Sequence, residues 1–229
     1  MLDLLFPKKR TCALCGQPQI RQEEVVCSLC TAQVRAGEPP FCTFCGRERE
    51  RGGVCSDCRR AHERFFHRAF SYGPYKGQLK ALVLHVKKSC GEEVVPLLVS
   101  YLEEAWAAHL FSCGIDLLVP VPITADKRKV RGFNQAERLA SGLSRRIALP
   151  VCQALAWQGT SRHQVGLTRD QRLSNDSRSL SLTPAAATLA GRTVCLLDDV
   201  YTTGTTANLC AKKLLEAGAR TVFVLTVAR

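Results

Sequence analysis

No stretch of the 229-residue sequence supplies the run of about 20 apolar residues that a membrane-spanning helix needs, so no transmembrane segment is expected. A secretory signal is missing as well. MLDLLFPKKR has a short apolar start, but its basic residues follow that start rather than precede it, and no cleavage region comes after. The expectation is a soluble, cytoplasmic protein. The first 60 residues lack something else: they are too poor in apolar side chains to fold by burial, so another source of folding energy is required. The remainder is long enough to bury one sizeable α/β core.

What the amino-terminal part does have is cysteine. Of 13 cysteines in the chain, eight fall in four CxxC pairs: Cys12/Cys15, Cys27/Cys30, Cys42/Cys45 and Cys55/Cys58. CALC with CSLC is echoed by CTFC with CSDC, an internal repeat. Four thiolates arranged tetrahedrally around Zn²⁺ supply folding energy to such a unit, and Gly16 and Gly46 relieve the tight turn after a ligand pair. Two structural zinc ions are therefore expected, in a double zinc-ribbon module over residues 1–60. Two connectivities fit the spacing, consecutive ribbons or a cross-braced alternation, and the repeat unit favours the consecutive one. Cys90, Cys113, Cys152, Cys195 and Cys210 stand singly and read as core fillers.

The chain beyond residue 60 is organised around TVCLLDDVYTTGTT, residues 193–206. A buried strand ends in Asp198 and Asp199. Thr202, Thr203, Gly204, Thr205 and Thr206 follow, and then a helix. Strand, acidic pair, small hydroxyl and glycine loop, helix is the order in which an α/β protein builds an anion site, because loop amides and the helix N-terminus point at the anion. The carboxylates repel a phosphate, so they are placed for a diol or a metal. Strands are expected near 69–72, 115–119, 151–157, 193–197 and 221–227. Apolar periodicity predicts helices over Tyr75–Lys88 and Val94–Leu110, and a third begins at Asn134 with Glu137 as a capping box. Together they predict an open, mostly parallel sheet over 61–229.

Charge is concentrated. Residues 120–180 carry eleven Lys/Arg against four Asp/Glu, with Lys127, Arg128, Lys129 and Arg131 in what reads as a basic loop after the 115–119 strand. That is the field a polyanionic substrate requires, and polynucleotide would want the same. Residues 158–182 are polar and long for a plain connection. They read as a functional lid with Arg162, His163, Gln164, Arg169, Arg172 and Asn175 as its candidates.

The 193–206 stretch resembles the phosphoribosyl-diphosphate (PRPP) signature of type I phosphoribosyltransferases. VPVP, RGFNQAERLA, YGPYKGQLKALVLHVK, HQVGLTRDQRLSN, the CxxC module and the closing VFVLTVAR extend the likeness over essentially the whole chain to the ComF/GntX family of competence-associated, phosphoribosyltransferase-like proteins. The resemblance implies a type I phosphoribosyltransferase-like α/β fold behind the double zinc ribbon. It implies Asp198 and Asp199 as ligands of the ribose hydroxyls and Thr202–Thr206 as the 5′-phosphate cradle. Lys127, Arg128, Lys129, Arg131 and Arg169 fall on the diphosphate side, with Mg²⁺ accompanying PRPP, and 158–182 looks like the hood that closes over it. Three functions stand beside one another: a phosphoribosyltransferase acting on an unidentified acceptor, a non-enzymatic PRPP or nucleotide sensor of DNA uptake, and a zinc-ribbon single-stranded DNA-binding protein. Partners implied are PRPP, single-stranded DNA and DNA-uptake proteins.

Overall fold

The computed structural model describes residues 11–19, 24–61, 63–158 and 180–229. The lid candidates Arg162, His163, Gln164, Arg169, Arg172 and Asn175 lie outside the described residues.

Two short helices, α1 (Ser28–Ala32) and α2 (Ser56–Arg60), each begin at the second CxxC pair of a repeat. Strand β1 (Ala69–Gly73) follows, then α3 (Gly77–His85), a 3₁₀ turn at Gly91–Val94, and α4 (Val95–His109). Next come β2 (Leu117–Pro120), α5 (Ala125–Arg131), α6 (Gln135–Ile147) and β3 (Leu155–Trp157). The chain closes with β4 (Leu180–Leu182), β5 (Thr193–Val200), α7 (Thr205–Glu216) and β6 (Thr221–Ala228). The main sheet has strand order β1-β6-β5-β2 and is parallel throughout.

Parallel strands are covered on both faces, and side chains alternate between those faces. Cys195 and Leu197 of β5, with Phe223 and Leu225 of β6, pack with Leu82, Leu98, Leu102, Leu139 and Leu143 of α3, α4 and α6. Val194, Leu196, Val222 and Val224 point the other way, onto Cys210, Ala211 and Leu214 of α7 and onto Cys42, Cys45 and Cys55. Both cysteine repeats thus share burial with the sheet.

The edges are closed. Along β1, the Gly37 N–H donates to Tyr72 O at 2.7 Å and the Ala69 N–H to Phe44 O at 2.7 Å, so the cysteine-rich segment takes up hydrogen bonds that an edge strand would otherwise expose. At the other edge, Leu118 pairs in parallel with Val151 in an isolated bridge.

Three expectations from the sequence are corrected. The 151–157 strand does not extend the main sheet. Residues 155–157 instead pair antiparallel with β4 as a separate two-stranded ribbon, leaving only the Val151 bridge. The basic loop is the helix α5, because Thr124 caps it by accepting from the Lys127 N–H and Gly132, at φ +83°, ends it. Of the single cysteines, Cys195 and Cys210 are core, whereas Cys90 is exposed.

Leu197 is fully buried at the centre of the sheet, so Leu197→Ala should cost about 2–5 kcal/mol in urea unfolding. Val130→Ser, at a side chain 79% exposed on α5, should change stability by less than about 0.5 kcal/mol.

Candidate functional site

The cysteines assemble into two clusters, Cys12/Cys15/Cys27/Cys30 and Cys42/Cys45/Cys55/Cys58, with all sulfurs of a cluster within 4.8 Å of one another. The consecutive connectivity is the one the chain adopts. Zn–S bonds of about 2.3 Å set tetrahedral sulfur separations of roughly 3.8 Å. Cys15 and Cys27 sulfurs stand 3.8 Å apart, and those of Cys45 and Cys55 3.6 Å apart, so the donor set fits zinc. Backbone amides support the sulfurs: the Leu14 and Cys27 N–H groups donate to Cys12 Sγ, and the Cys55 N–H donates to Cys42 Sγ. Burial works against ionisation of Cys12 and Cys42, but backbone amides, led by Cys15 and Cys27 for Cys12 and by Cys55 and Cys45 for Cys42, outweigh it and bring each thiol down to about 6. The second cluster is the more deeply set. Cys42, Cys45 and Cys55 are buried, whereas Cys15 of the first cluster is exposed.

The acidic pair lies within β5, not beyond its end: the strand continues through Asp198 and Asp199 to Val200, paired to β6 at Asp198↔Thr226 and Val200↔Ala228. Alternation then sends the two carboxylates to opposite faces. Asp199, 4% exposed, turns to the α3/α6 face. There it meets Lys87 Nζ at 3.0 Å and accepts from Gln135 Nε2 at 3.4 Å. Gln135 Oε1 in turn accepts from Arg131 Nη1 at 2.9 Å, so a polar chain runs from the basic helix to Asp199. Removing one partner of a buried ion pair costs about 3–5 kcal/mol, and the partial exposure of Lys87 sets this pair near the lower figure.

Asp198 faces the loop side. It lines a cavity of about 40 Å³ with Thr202, Gly204, Thr206 and Thr226. Burial, and then the neighbouring Asp199 charge, hold its carboxyl well above the usual carboxylate range; the Asp199 N–H, donating to Asp198 Oδ1 at 2.8 Å, pulls the other way. The loop itself divides. Thr203 and Thr205, whose hydroxyls lie 2.9 Å apart, line a second hollow with Arg64, Asn208 and Arg229. Gly204 caps α7 at φ +82°, and a Cβ there would come within 2.1 Å of Tyr201 Oη. The glycine is thus demanded by the buried Tyr201 ring as well as by the turn.

On α5, Arg128 is paired with Glu137, whose carboxylate is thereby drawn away from a capping box, and Arg131 is held by Gln135. Asn134 still caps α6, accepting from the Ala136 N–H, and donates to Val121 O. The sequence reading missed Lys87, Gln135, Tyr201 and Arg229. Tyr201 sits inside the motif, yet its role depends on packing against Phe66 and Gly204 that no local pattern shows.

A double zinc-ribbon protein with an open parallel α/β sheet is the class these features define, and residues 1–59 match the double zinc ribbon domain family. Over most of its length the chain is similar to Competence protein ComFC of Bacillus subtilis (strain 168), 26% identical over 216 residues that span 92% of this chain and 86% of the relative. It is also similar to DNA utilization protein YhgH of Salmonella typhimurium, 28% identical over 226 residues, 95% and 96% of the two chains. Both likenesses run over nearly the whole of this chain and most of each relative. Among solved structures, the glutamine phosphoribosylpyrophosphate amidotransferase of Bacillus subtilis aligns at 18% identity and TM-score 0.38, over 61% of this chain and 26% of that one. No helix of the described residues is long and apolar enough to cross a membrane.

Two outcomes follow for measurement. Elemental analysis should give two zinc ions per chain, falling to one in Cys42→Ala. The raised Asp198 carboxyl means that the native state favours its protonated form. The stability this contributes is complete below the unfolded value of about 3.9 and is lost as pH rises through the folded value. Asp198→Asn should therefore be more stable than wild type at pH 7 in thermal melts, with the difference closing as pH falls towards 4.

Proposed function

We propose that the chain binds PRPP at the β5–α7 junction and transfers its phosphoribosyl group to an acceptor, in a role linked to DNA uptake. The observation that carries this reading is the small cavity in which Asp198 meets Thr202, Gly204 and Thr206 at the N-terminus of a 12-residue helix. A 5′-phosphate held on the Thr202–Thr206 loop, outside that cavity, receives loop amides, hydroxyls and the positive end of the helix dipole and leaves Asp198 to the ribose. Asp198 accepts a ribose hydroxyl and sheds its proton in doing so. Asp199 takes a different part from the one its motif suggests: it fixes Lys87 and, through Gln135, Arg131, so that cations stand on the diphosphate side. The double role explains why two acids of opposite facing stand together.

A lone pair of the acceptor's nucleophilic atom forms a bond to C1 while the C1–O bond breaks. The bonding pair leaves with diphosphate, and any proton on the nucleophilic atom passes to solvent. Lys87 holds Asp199, so a Mg²⁺ accompanying PRPP would have Asp198 as the acid of the pair nearest to it, and it would supply charge neutralisation to the leaving diphosphate. The link to DNA uptake is supported by the relatives named as competence and DNA utilization proteins. Single-stranded DNA is the corresponding partner, and the basic helix α5 is the surface with the charge for it.

Calorimetric titration with PRPP-Mg, ribose 5-phosphate and inorganic phosphate tests the reading. Wild type should prefer PRPP-Mg, and Asp198→Asn should lose at least about tenfold in affinity for both ribose ligands, about 1.4 kcal/mol. Gly204→Val should abolish binding of all three by displacing Tyr201. Equal weak binding of the three ligands by wild type and by Asp198→Asn would refute the assignment.

A further inference from the structure

The second hollow beside the threonine loop, of about 160 Å³, is walled by the second ribbon as well as by the loop. Thr203, Gly204 and Thr205 line it from the loop, and Asp57, Cys58 and Arg64 from the ribbon and the chain that leaves it. It shares Tyr201 and Gly204 with the Asp198 cavity, so whatever is held in one abuts the other. The two walls are tied together. Asn208, in the first turn of α7, accepts from the Phe65 N–H at 2.8 Å and donates to Glu63 O at 3.3 Å, which pins the segment carrying Arg64 to the helix that begins at the loop.

Arg64 is held in place but not neutralised. Its guanidinium carbon lies 4.0 Å from the centre of the Phe44 ring, and its Nη2 donates to Cys58 O at 3.3 Å. Its Nε and Nη1 have no hydrogen-bond partner among the described residues and are open to solvent, and no carboxylate among those residues pairs with it. Stacking engages the face of a guanidinium and leaves its in-plane N–H donors free for an anion. The acids of the hollow do not take that part. Asp57 is bound by Arg47 at 2.6 Å and by Arg60 at 3.3 Å, and the exposed Glu63 makes no ion pair among the described residues. A stacked arginine with donors to spare thus stands on one wall, and the Thr203 and Thr205 hydroxyls with the start of α7 on the other. That combination is the complement of a tetrahedral oxyanion.

We propose that Arg64 is a ligand of the 5′-phosphate, supplied to the threonine loop by the chain that leaves the second ribbon. The proposal rests on the phosphoribosyl reading of that loop and adds to it a cation that the 193–206 motif does not contain. The motif offers a phosphate amides and hydroxyls, whereas Arg64 offers it a full positive charge. The cysteine-rich module then has a part in ligand binding, because Phe44 and Cys58 O fix the guanidinium that meets the phosphate.

The test uses the full-length, zinc-loaded protein and calorimetric titration with ribose 5-phosphate and with PRPP-Mg, which share the 5′-phosphate and differ in the diphosphate. Arg64→Gln should weaken both by a similar factor, at least about tenfold. Arg64→Lys should recover part of that loss, since it restores the charge without the planar donors. Arg59→Gln removes an exposed charge from the same ribbon and should change either affinity by less than about twofold. Zinc content should be the same in all variants as in wild type. Unchanged affinities in Arg64→Gln, or a loss confined to PRPP-Mg, would overturn the proposal. So would a loss of affinity that tracks a loss of zinc, since Arg64 would then be a counter-ion to the second cluster. The two readings fail in different ways. Tight PRPP-Mg binding that ignores Arg64→Gln would sink the Arg64 assignment and leave the phosphoribosyl reading standing. Wild type that prefers ribose 5-phosphate to PRPP-Mg, with the Arg64 effect intact, would sink the phosphoribosyl-diphosphate reading and leave a phosphate site in the hollow. Failure of wild type to bind either ligand would overturn both.

Discussion

Side-chain alternation along β5 is the constraint on which the rest of the molecule depends. Because successive residues of a strand face opposite ways, Val194 and Leu196 commit one face of the sheet to α7 and the second cysteine cluster, while Cys195 and Leu197 commit the other to α3, α4 and α6. The same alternation, continued two residues further, gives Asp198 to the threonine loop and Asp199 to Lys87 and Gln135. A one-residue slip in the β5–β6 register would exchange the two acids and move every core residue to the wrong face, so packing and site are fixed by one pairing.

The cysteine-rich segment is not an appendage. It donates and accepts along β1, places Cys42, Cys45 and Cys55 in the same core as α7, and walls the second hollow. Gly46 shows how closely it fits: a Cβ there would come within 2.8 Å of Ala69 O. Folding energy from metal coordination is thereby passed to an edge strand, which explains how a segment so poor in apolar residues can shape a site it does not itself contain.

Much of this was legible in the sequence because it is local. Four CxxC pairs in repeat announce two sulfur clusters, and a buried apolar run followed by DDVYTTGTT announces the strand, loop and helix. Asn134 declared its helix by its own capping chemistry. What escaped depends on residues far apart in the chain. The Lys87–Asp199 pair, the Arg131–Gln135–Asp199 relay and the stacking of Arg229 on Tyr201 are made by topology, and no spacing pattern encodes them. The basic run Lys127–Arg131 misled for a different reason: charge describes what a segment attracts, whereas the cap at Thr124 and the stop at Gly132 decide that it is helical.

In the proposed function the two acids part company, Asp199 held by Lys87 and Asp198 left to meet the ligand. The most direct measurement follows the side-chain carboxyl carbons of Asp198 and Asp199 by NMR in aspartate-labelled protein, assigned with single Asn variants, across pH with and without PRPP-Mg. Asp198 should titrate well above the ordinary carboxylate range in the free protein, and should fall sharply and shift most when PRPP-Mg is added. An Asp198 that titrates like an exposed aspartate and does not respond to the ligand would contradict it.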